Sequence, residues 1–436
     1  MTGMSTPLSP KIHPAGARVL AVSTAAALTL LSAPHAGAQE AVTPTASESS
    51  STRKAAPNTD DCPHAEHPGE PVTTSERLAP GQAAPEAIPA VQTDVGCGVT
   101  APEGFRVDRQ VIASAWLVAD VDTGEIVAMK DPHGRYRPAS IIKVLLALVA
   151  IEELDLKKVV RGTQADADID GSSVGIGPGG KYSISTLLHG LLLGSGNDAA
   201  HALAQQLGGD EEALRKVNAK AQELGATSTY AASYSGLDAA GMQTSPYDLG
   251  LMYQAAFNNP TFARIVNTES ITFPGYGDMK GYELWNDNQL FLNDPDGIGG
   301  KTGFTDDANH TFVGALDRDG RRLMAIVLDT TIDSKARAWE QAQKLLHAAY
   351  KTAPGDGVST LDPDYRAAAE SAAATATEET SPQETNAAPQ LPAEAAQAVA
   401  TTGSLIDRVG SWVGWAVVGG IAVLVALLAF LSLRRR

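Results

Sequence analysis

Arg137-Pro138-Ala139-Ser140-Ile141-Ile142-Lys143-Val144-Leu145-Leu146 is the stretch on which the reading of this chain turns. The run after Ser140 is apolar and reads as a buried helix. A serine and a lysine three residues apart then lie one turn apart on the same side. A lysine amine beside a serine hydroxyl, both partly desolvated, pairs a nucleophile with a proton acceptor. Desolvation lowers the lysine pKa, so neutral amine becomes available near neutral pH. Taken alone, S-x-x-K is a common pattern that more often describes a serine N-cap followed by a solvated lysine.

Two further triplets separate these readings. Ser195-Gly196-Asn197 sits inside Leu191-Leu192-Leu193-Gly194-Ser195-Gly196-Asn197-Asp198-Ala199-Ala200, and Lys301-Thr302-Gly303 follows much later. S-x-x-K, S-D-N and K-T-G together mark class A β-lactamases and penicillin-binding proteins, and the middle triplet is S-G-N here. The surrounding residues extend the match. Gly171-Ser172-Ser173-Val174-Gly175, Leu187-Leu188-His189-Gly190-Leu191-Leu192-Leu193, Ser235-Gly236-Leu237-Asp238, Thr244-Ser245-Pro246-Tyr247-Asp248-Leu249 and Lys301-Thr302-Gly303-Phe304-Thr305 resemble the low-molecular-mass penicillin-binding proteins, the D-alanyl-D-alanine carboxypeptidases. The resemblance covers residues 111–350. It departs at Gly299-Gly300, where the family often has an Asp, and at Ser233-Tyr234, where it usually has Asn-Pro. The all-β domain that follows the catalytic one in some members is not read here.

The resemblance implies an enzyme, a serine-type D-Ala-D-Ala carboxypeptidase that binds penicillin. Ser140 would attack the carbonyl of the D-alanyl-D-alanine bond and Lys143 would accept its proton. Ser195 would relay that proton to the leaving amine, and Asn197 would contact the substrate amide or Lys143. Lys301 would hold positive charge near Ser195 and keep Lys143 neutral by like-charge repulsion. Thr302 and Thr305 would bind the terminal carboxylate. Gly303 would let substrate approach the backbone, and the N–H groups of Ser140 and Phe304 would form the oxyanion hole. Substrates would be peptidoglycan stem peptides ending in D-Ala-D-Ala, and β-lactams would be covalent inhibitors. Alternatives are a DD-endopeptidase of the same family, a class A β-lactamase, and a catalytically silent cell-wall-binding module. The second needs an E-x-x-x-N that does not occur between Ser195 and Lys301.

Pattern gives an α+β fold. Residues 113–119 and 125–129 read as strands around the Asp122-Thr123-Gly124 turn, and residues 311–316 and 321–328 as strands around Asp319-Gly320. Residues 339–350 form an amphipathic helix. Between the two strand groups lie helical stretches at 140–154, 184–193, 198–207, 211–224 and 246–258. The expected architecture is an antiparallel sheet built from both ends of the domain, flanked by helices, with a helical lobe across a cleft. The resemblance implies the same serine β-lactamase-like transpeptidase fold. Ser140 is expected to begin the central helix, at its positive end. Lys301 is expected to start an edge strand. Asp198 is expected to cap a helix, Ser235-Gly236-Leu237 to support the cleft floor, and Lys335 and Arg337 to be solvated.

The 436 residues exceed one such domain. Residues 1–38 read as a signal peptide: Lys11 and Arg18, an apolar run, then Ala36-Gly37-Ala38. Residues 39–110 form an exported low-complexity extension holding both cysteines, Cys62 and Cys97. In an oxidising compartment these are expected to pair, stabilising by up to about 4 kcal/mol. The extension is expected to stay clear of the cleft. Residues 111–351 are the catalytic domain, and 352–410 an Ala/Glu/Thr/Pro-rich solvated tether. Residues 411–433 read as a membrane span with Trp412 and Trp415 at one interface, followed by the basic tail 434–436. The expected location is a single-pass protein of the cell membrane with its catalytic domain outside. The net charge of -17 argues against nucleic-acid binding. No cofactor or metal is implied; His64 and His67 near Cys62 lack a ligand-spaced partner set.

Overall fold

The computed structural model describes residues 52–365. The signal peptide, the membrane span, the basic tail and most of the tether lie outside the described residues. In chain order the elements are β1 (Val99–Thr100), β2 (Ala115–Asp120), β3 (Glu125–Lys130), a 3₁₀ turn (Ala139–Ile142), α1 (Lys143–Glu153), β4 (Val159–Arg161), α2 (Gln164–Ala167) and β5 (Lys181–Ser183). Then come α3 (Ile184–Leu193), α4 (Asn197–Gln206), α5 (Asp210–Glu223), α6 (Pro246–Asn258), α7 (Pro260–Val266), β6 (Ser270–Phe273) and β7 (Tyr282–Trp285). The chain continues through α8 (Gln289–Asn293), β8 (Gly297–Thr305), β9 (Asn309–Arg318), β10 (Arg321–Thr330), α9 (Ala338–Ala349) and β11 (Ser359–Thr360).

The two strand groups meet as the pattern predicts. β10 pairs antiparallel with β2, setting Met324 opposite Ala119 and Val327 opposite Trp116. The sheet runs β3-β2-β10-β9-β8, with β1 and β11 both on the outer edge of β3. Each hairpin has its turn chemistry. Asp120 accepts the N–H groups of Asp122 and Thr123, both at 2.9 Å. Asp319 and Gly320 both take positive φ, which turns β9 directly into β10.

Alternation along the strands splits the core in two. Trp116, Val118, Leu323, Ala325 and Val327 face α9 and pack against Ala342, Leu345 and Leu346. Leu117, Ala119, Met324, Ile326 and Leu328 join the larger core with the helical lobe. Helix α1 is the centre of that lobe. Residues 143–150 are buried on every side, which explains its unbroken apolar sequence. Caps set the starts of its neighbours: Ser183 accepts from Thr186 N–H for α3, and Ser245 from Asp248 N–H for α6, with Pro246 in the first turn.

Three expectations need correction. Ser140 does not open α1; it lies in the 3₁₀ turn before it, and the α-helix begins at Lys143. Lys301 does not start its strand but sits in the middle of β8, the terminal strand of the sheet. The strand begins earlier because Gly299 and Gly300 carry it past α7. A Cβ on Gly299 would lie 2.3 Å from Val266 O, and one on Gly300 2.1 Å from Val313 O. The packing of this chain leaves no room for a side chain at either position.

The third concerns the tether. Its first residues return along the sheet: Leu361 N–H bonds Gly124 O at 2.8 Å and Tyr365 OH bonds Asp248 at 3.0 Å. Leu361 and Tyr365 are both buried. Composition hid this because only a few apolar residues in a polar run make the contact. A chain ending at Pro354 is expected to be about 3 kcal/mol less stable than one ending at Tyr365, from the apolar burial lost. Denaturant unfolding of the two would show it; equal stability would mean residues 355–365 add nothing.

Candidate active site

The site is built around the Lys143 amine. Helix α1 carries Lys143 fully buried, at 0% exposure. Its Nζ donates to Ser140 Oγ at 2.8 Å, to Asn197 Oδ1 at 2.8 Å, and to the backbone oxygen of Ser235. Once the amine is neutral it has two protons. Asn197 and Ser235 O accept only, so they take those protons and leave the lone pair facing the Ser140 hydroxyl. Burial first, and then the charge of Lys301, hold the Lys143 pKa well below its ordinary value; Asp287 and Asp198 push back.

Each ligand of the amine is held by its own loop. Asn197 Nδ2 donates to Asp170 O at 2.7 Å, which turns Oδ1 toward Lys143. Of the two contacts expected for Asn197, the structure shows the one to Lys143. Asp198 does not cap α4, whose N-cap is Gly196. Its buried carboxylate instead accepts from Ser173 Oγ and from the N–H groups of Val174 and Ile176, fixing the loop beside the cleft. Gly236, at φ +85°, brings the 235–237 turn against Ala139, where a Cβ would lie 2.1 Å from the carbonyl oxygen. That turn does more than support the floor, because Ser235 supplies an acceptor to Lys143.

Ser195 has φ +58°, an uncommon backbone state for a non-glycine residue, and its side chain makes no hydrogen bond among the described residues. Gly303 lies beside the nucleophile: a Cβ there would be 3.1 Å from Ser140 N and 2.3 Å from Thr311 Oγ1. Glycine thus keeps the Ser140 N–H approachable. Phe304 is exposed on the far side of that glycine.

Sequence reasoning missed Asp287. Its Oδ2 accepts from Thr302 Oγ1 at 2.7 Å and lies 3.6 Å from the buried Lys301 Nζ. Asn286 Nδ2 bonds Val266 O, and Asn288 Oδ1 accepts from Phe291 N–H, so the Asp between them is rigidly placed. The available signal was that Asn-Asp-Asn run shortly before K-T-G. Burial lowers the Lys301 pKa, and the charge and hydrogen bonding of Asp287 oppose that shift. Thr305 is committed elsewhere: its hydroxyl donates to Asp238 at 2.9 Å. The Thr302 hydroxyl is likewise bonded to Asp287, which leaves the Lys301 amine as the group best suited to a carboxylate. Lys335 and Arg337 are exposed.

The disulfide forms between Cys62 and Cys97, with Cα atoms 5.3 Å apart. Its loop does reach the cleft, contrary to expectation. Thr73 and Ser75 donate to Asp307, just beyond β8.

Fold and site together define an acyl-transfer enzyme of the serine–lysine type. A profile of the D-alanyl-D-alanine carboxypeptidase family matches residues 100–331, and the chain belongs to that family. It is 43% identical over 252 residues to D-alanyl-D-alanine carboxypeptidase DacB2 of Mycobacterium tuberculosis, across 57% of this chain and 86% of that one. It is 30% identical over 244 residues to DacF of Bacillus subtilis, across 55% and 62%. Among solved structures, a D-alanyl-D-alanine carboxypeptidase from Mycobacterium tuberculosis aligns with TM-score 0.57 at 41% identity, covering 60% of this chain and 100% of that one. The Streptomyces K15 DD-transpeptidase aligns with TM-score 0.52 at 27% identity, covering 55% and 97%.

The electrostatics give a signed expectation. Only neutral Lys143 accepts a proton, so acylation should rise with pH through its lowered pKa. Lys301→Gln removes the like charge and should move that rise to higher pH. Lys301→Arg keeps the like charge and should leave the rise nearly in place. The pH profile of β-lactam acylation measures both variants; an equal shift in the two would contradict the charge assignment.

Proposed function

We propose that this protein is a serine-type D-Ala-D-Ala carboxypeptidase that trims the terminal D-alanine from peptidoglycan stem peptides. The observation that carries this reading is the buried Lys143 amine 2.8 Å from Ser140 Oγ, in a chain of this family. Ser140 Oγ bonds to the carbonyl carbon of the penultimate D-alanine, and its proton passes to Lys143 Nζ. The N–H groups of Ser140 and Phe304 stabilise the oxyanion. As the C–N bond breaks, that proton is handed through Ser195 Oγ to the departing amine, and D-alanine leaves. Water then adds to the serine ester, releasing the shortened peptide and regenerating Ser140. Lys301, beside Asp287, receives the substrate's free carboxylate, and Thr302 joins it by turning its hydroxyl away from Asp287. A β-lactam follows the first step, but its amine stays tethered to the acyl group and the ester persists.

The reading extends to location. Residues 1–38 act as an export signal and 411–433 as a membrane span, with residues beyond 365 linking that span to the domain. The lysine-poor apolar run, the flanking tryptophans and the three terminal arginines support this. The disulfide supports an oxidising compartment. Among the described residues no helix is long and apolar enough to cross a membrane. A chain ending at Tyr365 should therefore be recovered in the medium of an exporting host and the full chain in membranes; recovery of both in membranes would contradict the C-terminal anchor.

Two assays test the chemistry. Fluorescent penicillin should label the full chain on Ser140 and leave Ser140→Ala unlabelled, and a pentapeptide ending in D-Ala-D-Ala should release D-alanine. Lys143→Arg, which keeps the charge and loses the titratable amine, should slow acylation by at least about 10²-fold. An adduct on another serine, or near-normal acylation of Lys143→Arg, would defeat the assignment. Splitting of crosslinked dimers into two peptides, with no D-alanine released from the pentapeptide, would favour the endopeptidase.

A further inference from the structure

We infer that residues 72–76 of the N-terminal extension form one wall of the substrate groove and contact the stem peptide upstream of the attacked carbonyl. This rests on the reading of Ser140 and β8 as a peptide-acylation site. The segment is fastened on both sides of the cleft. On one side the Asp307 carboxylate, in the turn between β8 and β9, accepts the N–H groups of Val72 and Thr73, both at 2.8 Å. It also accepts the hydroxyls of Thr73 at 2.6 Å and Ser75 at 2.5 Å. On the other side Glu76 pairs with Arg137 at 2.6 Å and accepts the Gly241 N–H at 2.9 Å. Arg137, three residues before Ser140, also donates to Gly69 O at 2.8 Å. The Cys62–Cys97 bridge closes the loop that carries this strap.

The strap is positioned to touch substrate. Thr73, Thr74 and Ser75 line an open groove of about 570 Å³ together with Leu237, Phe304 and Thr305. Charge sets the direction in which a peptide would lie along β8. Its free carboxylate belongs at Lys301, the buried cation of that strand. The opposite end of the groove carries Asp170, Asp238 and Asp306, which repel a carboxylate. The upstream residues therefore run from Gly303, beside Ser140, toward Thr305. Two strand residues span about 7 Å, so contact with the strap begins about two residues before the attacked carbonyl. The strap lies outside the family-matched residues 100–331.

The test uses the full chain with two variants. Thr74→Trp adds bulk to the groove wall without cutting the Asp307 bonds. The double variant Thr73→Val, Ser75→Ala removes two hydroxyl bonds and loosens the strap. Two rates are compared: D-alanine release from a pentapeptide ending in D-Ala-D-Ala, and acylation by 6-aminopenicillanic acid, which has no acyl side chain to reach the strap. Acylation of the parent reports on Ser140; the ratio of the two rates reports on the strap. Expected is at least about a fivefold change in pentapeptide kcat/KM for both variants, with acylation within about twofold of the parent. An unchanged pentapeptide rate in both variants would overturn the inference. So would a parallel fall in both rates, which would make the strap only a brace for the fold.

Discussion

The burial of the Lys143 amine is the constraint on which the rest of the site depends. An ammonium at 0% exposure is poorly solvated, and Lys301 nearby raises the penalty for a second positive charge. The protein relieves this by letting the proton go and arranging oxygen acceptors around what remains. The oxygens around it come from three separate elements: the Ser140 hydroxyl from the 3₁₀ turn, facing the lone pair, and two acceptors from the start of α4 and the 235–237 turn. The apolar sequence of α1 keeps water out. The loop held by Asp198 and the close approach at Gly236 then hold the acceptors in place. A base on a rigid buried helix cannot swing away from its nucleophile, which suits proton transfer over a single hydrogen bond.

The facing wall solves the opposite problem. Lys301 is equally buried yet needs its charge to attract a carboxylate, and Asp287 supplies the counter-charge. Burial lowers the pKa of both lysines; the like charge of Lys301 adds to the shift at Lys143, while the adjacent Asp287 opposes it at Lys301. Between them β8 offers Gly303, where the absence of a side chain exposes Ser140 N–H. The extension then closes the groove's far end by four hydrogen bonds to one carboxylate, Asp307.

Much of this was legible in the residues. The alternation in β2, β3, β9 and β10 and the apolar run of α1 are strong local signals, and the S-x-x-K, S-G-N and K-T-G triplets fall where the fold brings them together. What escaped has physical reasons. Asp287 is a single carboxylate between two asparagines, and that short polar run shows its role only once the fold sets it beside Lys301. Residues 72–76 have no apolar period, because polar bonds to a residue distant in sequence anchor them. Strand β11 is two residues long and owes its place to the edge of β3. Ser140 lies in a 3₁₀ turn because the nucleophile's backbone must meet both β8 and the 235–237 turn before the α-helix begins.

Direct titration of the Lys143 side chain tests this account most sharply. Lysine labelled at the ε-carbon, assigned by comparison with Lys143→Arg, would give its protonation state by NMR across the pH range. The account predicts a Lys143 signal that titrates well below the ordinary lysine value of about 10.4. A Lys143 that stays charged up to that value would contradict it, because the lone pair said to face Ser140 would not exist at working pH.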